Sequence, residues 1–156
     1  MRTEKTALMK AVDYLARQDH STAKLREKLL RLGYDGAEVA QAIEKLTAKG
    51  YLNDPEVCGR RFRYLYEENR LSVRRICRKL YERGFSETDI DACIPAETES
   101  RERRVARRLL EQKYRHTKNE SDNNKMMAFL YRQGFDGDIC HTVTEDFLQA
   151  KEEELT

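Results

Sequence analysis

Tryptophan is absent from the sequence, proline occurs twice and glycine only seven times. So few chain breakers exclude a collagen-like or low-complexity chain. With 39% hydrophobic and 37% charged residues and no strand-like alternation, the composition points to helices rather than to a sheet or a disordered chain. No apolar run approaches the roughly 20 residues a membrane span needs, and nothing after Met1 has the pattern of a secretory signal. A cytoplasmic protein without a membrane partner is expected.

Chemistry-bearing patterns are equally scarce. Cys58, Cys77, Cys93 and Cys140 contain no CxxC pair and never fall at ligand spacing on one helix. They read as small apolar core residues in a reducing compartment, not as a metal site completed by His20, His116 or His141. No glycine-rich phosphate loop, nucleophile elbow or HExxH helix occurs. The adjacent acids Glu67 and Glu68 diverge by about 100° around a helix, so they cannot act as an acid/base couple. The expectation is a protein that is not an enzyme and uses no cofactor or metal.

What the sequence does contain is a pattern written three times: KLREKLLRLGY at 24–34, RICRKLYERGF at 75–85 and KMMAFLYRQGF at 125–135. In each, apolar residues stand four apart before a glycine: Leu25 and Leu29, Ile76 and Leu80, Met126 and Leu130. That spacing is one stripe of a helix. Gly33, Gly84 and Gly134 then stand where a left-handed residue ends a helix, with Tyr34, Phe85 and Phe135 as the apolar contact beyond the turn. Asp35, Ser86 and Asp136 start the next helix, and Glu38 and Asp89 stand at capping-box distance from the first two.

The stripes of these third helices are Val39, Ala42, Ile43 and Leu46, then Ile90, Cys93 and Ile94, then Ile139, Val143 and Phe147. Ahead of each glycine helix lies another: Leu8, Ala11, Val12 and Leu15; Cys58, Phe62 and Leu65; Val105 and Leu109. Ser21, Ser72 and Asp122 are placed to cap the middle helices. Gly50, Asp54 and Pro55 mark a stop and a fresh start, with Asp54 as the cap, and Pro95 stops another helix.

The glycines fall 51 and then 50 residues apart, the kind of period that marks tandem units. An all-α chain of three tandem three-helix repeats follows, at 1–50, 51–97 and 98–156. The polar stretch YRHTKNES at 114–121 reads as a mobile loop.

Net charge is only +2, yet charge is unevenly placed. Residues 60–83 hold nine Arg or Lys against three Glu, and residues 101–118 hold eight against two. Residues 84–100 carry five acids and no base. Helical spacing sets Arg60, Arg63 and Arg70 near one face and Arg74, Arg78 and Lys79 along another, with Tyr64, Tyr66 and Tyr81 between them. Such faces suit phosphates or carboxylates. They are equally suited to pairing with Glu67, Glu82 and the acidic third helix.

The segment GYLND at 50–54, the helix carrying Arg60 and Phe62, and RRICRKLYERGF at 74–85 together resemble the central repeat of the bacterial RecX regulatory proteins. The stretch DHSTAKLREKLLRLGY at 19–34 is similar to that family's first repeat, and the resemblance extends over essentially the whole chain. Where family members usually have Asp-Asp after Gly-Tyr-Leu, this chain has Asn53 and Asp54; where many have Gly-Pro before the second central helix, it has Leu71 and Ser72.

The resemblance implies an elongated, curved helical-repeat protein, a monomer. It would bind the RecA recombinase filament on single-stranded DNA and inhibit ATP hydrolysis and strand exchange, in DNA repair, recombination and the SOS response. The basic residues best placed for that partner are Arg60, Arg61, Arg63, Arg74, Arg75 and Arg78, with Tyr64 and Tyr81 as rigid aromatic contacts or, equally, as inter-helix packing. A direct, non-specific nucleic-acid binder using the same arginines is the alternative, and a general helical scaffold a third reading.

Overall fold

A computed structural model describes residues 5–115 and 122–155. Within them every regular element is helical: α1 (Ala7–Arg17), α2 (Thr22–Arg31), α3 (Gly36–Ala48), α4 (Asp54–Glu67), α5 (Val73–Glu82), α6 (Glu87–Cys93), α7 (Glu99–Tyr114), α8 (Asn123–Arg132) and α9 (Gly137–Leu155). Three helices per repeat is the expected pattern. Of the loop expected at 114–121, Tyr114 is instead the buried last residue of α7, because its ring packs into the core, and residues 116–121, with His116, lie outside the described residues.

The fold gathers into two compact units, Met1–Phe62 with Lys79–Cys93, and Arg63–Arg78 with Ile94–Thr156. In the first, α1, α2 and α3 close over Ala11, Leu25, Leu29, Val39, Ile43, Leu46 and Leu52. In the second, α7, α8 and α9 close over Val105, Ala106, Leu110, Met126, Leu130, Phe135, Ile139, Val143 and Phe147. Every expected stripe residue of α2, α3, α8 and α9 is buried and Leu8, Leu15 and Leu109 are half-buried, which is why the helical period was readable. Val12 is an exception, and so is Ile94, which lies beyond the end of α6; both are exposed.

The same interlock occurs once in each unit. In the first, Ser21 caps α2 by accepting from the Lys24 N–H at 3.1 Å, and its hydroxyl donates onward to the Arg83 carbonyl at 2.5 Å. In the second, Ser72 accepts from the Arg75 N–H at 3.2 Å and donates to the Gln133 carbonyl at 2.7 Å. Those two carbonyls directly precede Gly84 and Gly134. A serine at the start of one repeat's middle helix thus sits on the glycine turn of the following repeat.

An acid reinforces each join. Asp54 Oδ1 accepts from both the Thr22 N–H and the Thr22 hydroxyl at 2.9 Å. Glu102 accepts from the Val73 N–H, with both oxygens at 3.2 Å. The first-turn amides of α2 and α5, which have no partner inside their own helices, are satisfied in this way from the neighbouring repeat.

Three caps differ from expectation. Asp54 is drawn to Thr22, and Asn53 caps α4 instead, its Oδ1 accepting from the Glu56 N–H at 3.3 Å. Asp35 makes no side-chain cap bond. Glu38 serves α1, not its own helix, by accepting from the Ala7 N–H at 2.9 Å.

Cys58 and Cys140 are buried and Cys77 and Cys93 half-buried, all four as free thiols. Burial, with Cys93 Sγ 3.8 Å away, pushes the Cys58 thiol up to about 12, far from thiolate reactivity at neutral pH. In α9, Thr144 is fully buried and its hydroxyl has no hydrogen-bond partner among the described residues. An unpaired buried hydroxyl costs about 1–3 kcal/mol. Thr144→Val is therefore expected to raise stability by about 1 kcal/mol, read as a higher urea midpoint at unchanged slope; a lower midpoint would show that the hydroxyl is satisfied after all.

Candidate partner-binding surface

The arginines expected to meet a partner stand in different environments. Arg60 and Arg61 lie on α4 in the first unit and both turn to Asp19. Arg60 Nη2 is 3.3 Å from the Asp19 carboxylate, and Arg61 Nη2 donates to the Asp19 carbonyl at 2.9 Å. Both sides of the Arg60 pair are about half exposed, so this contact contributes little and leaves the arginine available. Arg70 does not share a helical face with Arg60 and Arg63, because α4 ends at Glu67.

Arg63, Tyr64, Arg74, Arg75 and Arg78 belong to the second unit. Arg63 and Arg74 are exposed and have no ion-pair or hydrogen-bond partner among the described residues. Arg75 Nη1 donates to Gln133 Oε1 at 2.8 Å, and Arg78 is exposed. Arg74, Arg75 and Arg78 share the N-terminal two turns of α5. The structure therefore brings this trio together on one helix, while Arg61 is tied to the Asp19 carbonyl and Arg60 is only loosely paired with its carboxylate.

Tyr64 and Tyr81 are 68% and 62% exposed, Tyr81 in the first unit and Tyr64 in the second. Neither ring is buried between helices, so the packing expected as one of their two readings is not what the fold makes of them. Tyr66 behaves otherwise. Its ring lies 4.3 Å from the guanidinium of Arg101, a cation held over an aromatic face.

Arg101 is the residue whose place the charge count misjudges. It falls in a basic run but is only 4% exposed. Its Nε and Nη2 donate to the Tyr66 carbonyl at 3.2 and 3.0 Å, and its Nη1 meets Glu102 Oε1 at 2.6 Å. Burial pushes the Glu102 carboxyl above its usual range, against the pull of the Val73 amide and the Arg101 guanidinium. This pair clamps the end of α4 to the start of α5 and takes no part in an outer surface.

Tandem three-helix repeats joined by serine-on-glycine interlocks define an all-α helical-repeat protein. Residues 7–46 match the family model for the first three-helix domain of RecX, and residues 101–144 that for its third three-helix domain. The chain belongs to the RecX family.

It is 28% identical over 142 residues to the regulatory protein RecX of Trichlorobacter lovleyi, covering 86% of this chain and 91% of that one. It is 43% identical over 53 residues to that of Acidithiobacillus ferrooxidans, covering 34% of each. Among solved structures it is similar to RecX from Lactobacillus salivarius, with a TM-score of 0.75 at 20% identity over 90% of this chain and 94% of that one. It is also similar to another regulatory protein RecX, with a TM-score of 0.78 at 20% identity over 89% and 70%. Apart from the Lactobacillus salivarius structure, named only RecX, these relatives are named as regulatory proteins. No described helix is long and apolar enough to cross a membrane.

Proposed function

We propose that the chain is a cytoplasmic regulator that binds the RecA recombinase filament on single-stranded DNA and inhibits its ATPase and strand exchange. Family membership supports this reading. The observation that carries it to particular residues is the exposed arginine trio of α5, together with the unpaired Arg63 and the exposed Tyr64 and Tyr81. A filament repeats its surface, and three repeats, at 1–50, 51–97 and 98–156, can engage successive subunits. Modest contacts then add through effective concentration without a deep pocket. Exposed cations also steer association toward acidic protein or DNA.

The test is the ATPase rate of the cognate recombinase on single-stranded DNA as the protein is titrated in. The wild-type chain is expected to inhibit. Reversing Arg74, Arg75 and Arg78 to Glu together is expected to raise the half-inhibiting concentration at least about tenfold, since one lost charge-assisted contact already accounts for about 1.5 kcal/mol. Unchanged inhibition, with helix content intact by circular dichroism, would take these residues out of the interface. No inhibition by the wild-type chain would refute the reading itself.

A further inference from the structure

A cleft of about 170 Å³ opens beside the start of α2 in the first unit, lined in part by Asp19, His20, Lys24, Lys28, Arg61 and Arg83. Four cations thus surround it against one carboxylate, and Asp19 is already engaged by Arg60. His20 is buried and fixed at both nitrogens. Nδ1 lies 2.9 Å from the Gln18 carbonyl and Nε2 lies 2.7 Å from Lys28 Nζ. A carbonyl only accepts, so Nδ1 carries the proton and Nε2 accepts from the Lys28 ammonium. Burial, followed by the charges of Lys28 and Arg61, holds His20 below its ordinary pKa against the pull of the Gln18 carbonyl. The imidazole therefore positions Lys28 without cancelling its charge.

Arg83 is exposed, and its guanidinium has no carboxylate or hydrogen-bond partner among the described residues. After burial, its charge is the main influence pulling Arg61 below its ordinary value, so the two guanidiniums repel across the cleft. Lys24, Lys28 and Arg61 each have one local partner, but four cations gathered around one cleft, with Arg83 left unsatisfied, depart from what stability alone would select, and such departures mark functional sites.

The second unit holds a satisfied version of the same place. The repeat period equates Lys24 with Arg75 and Arg83 with Gln133. Arg75 and Gln133 meet directly at 2.8 Å. At the equivalent positions of the first unit both residues are cations, and Lys24 turns to Glu27 at 3.3 Å. The direct bond is missing, and an anion would complete it.

We propose that this cleft binds a phosphate of a nucleic-acid backbone through Arg83, Arg61, Lys28 and Lys24. The donors arrive from α2, from α4 and from the turn after α5. A tetrahedral phosphate presents oxygens to several directions, whereas a carboxylate is planar and is satisfied by one guanidinium fork. The inference deepens the proposed function and rests on it for the presence of DNA, but its test needs no recombinase.

The imidazole resonances of His20 are followed in the full-length chain as inorganic phosphate, an oligothymidylate or polyglutamate is added. Phosphate and oligothymidylate are each expected to shift them saturably. Arg83→Gln installs the residue of the second unit and is expected to keep the fold. It should weaken oligothymidylate binding about tenfold and reduce the slope of log K against log salt by about 0.7. No shift with phosphate or with oligothymidylate, or an unchanged slope in Arg83→Gln, overturns the proposal. A shift with polyglutamate alone also overturns it, in favour of an acidic protein segment. Phosphate binding here without any inhibition of the recombinase leaves the site standing and removes the filament reading.

Discussion

Glu102→Ala is expected to cost about 3–5 kcal/mol, the range for breaking one side of a buried ion pair. Glu102 and Arg101 are 7% and 4% exposed. Without the carboxylate, the guanidinium stays buried with only the Tyr66 carbonyl and ring for company, and the Val73 amide loses its acceptor. Small domains have only about 5–15 kcal/mol in hand, so the loss should be plain in urea denaturation.

Arg101→Met distinguishes a charge effect from a packing effect. It leaves a buried carboxylate whose pKa burial already raises above the usual carboxyl range. A carboxyl with a raised folded pKa binds protons more readily in the folded than in the unfolded state, so stability is lost as pH rises through the folded value and regained as pH falls. The deficit of Arg101→Met should therefore shrink between pH 7 and pH 5, while that of Glu102→Ala should not follow it. Deficits under about 1 kcal/mol for both would mean that the clamp contributes little.

The second large effect is expected at Gly84 and Gly134. Their φ values of +93° and +99° and that of Gly33, +92°, lie in the left-handed region, where alanine costs about 1–2 kcal/mol. At Gly33 nothing else opposes a side chain. A Cβ at Gly84 would sit 2.7 Å from Ser21 Oγ, and one at Gly134 would sit 2.5 Å from Ser72 Oγ.

Displacing either serine breaks a helix cap worth about 1 kcal/mol and a hydrogen bond in a buried place worth about 1–3 kcal/mol. Gly84→Ala and Gly134→Ala should each cost about 3–5 kcal/mol, against about 1–2 kcal/mol for Gly33→Ala. Adding Ser21→Gly to Gly84→Ala should recover part of the loss as a coupling term in a double-mutant cycle. Equal losses at Gly33 and Gly84 would show that the serine contact carries no weight.

These two features also separate what the sequence made legible from what it did not. The helices, their glycine stops and the caps Ser21, Ser72 and Asp122 were readable because each depends on residues within four positions, where spacing is the signal. The second partner of Ser21 lies 62 residues away, and no local rule points to it. Glu38 and Asp54 stood at good capping positions, but donors from other helices outcompeted the local ones. Arg101 looked like one more solvated arginine, since burial of a charge shows only once its acceptors are placed.

The same reasoning applies to the surface. The α5 trio lies within five consecutive positions, so charge along the chain reveals it. The cations of the first-unit cleft stand at positions 24, 28, 61 and 83, and no window of sequence holds them together. Their meeting depends on the interlock that brings the turn after α5 to the start of α2.

That interlock has a polarity. Each join is plug into socket, serine forward into glycine, so the modules can follow one another only head to tail and in one sense. The socket at Gly33 receives no plug, and the third module offers Asp122 where the others offer serine. A gene lengthened by copying its central module in frame would present a matching socket behind and a matching plug ahead. Growth by duplication is thus built into the joinery, and Asp122, which carries no hydroxyl to donate, keeps the cap without the plug.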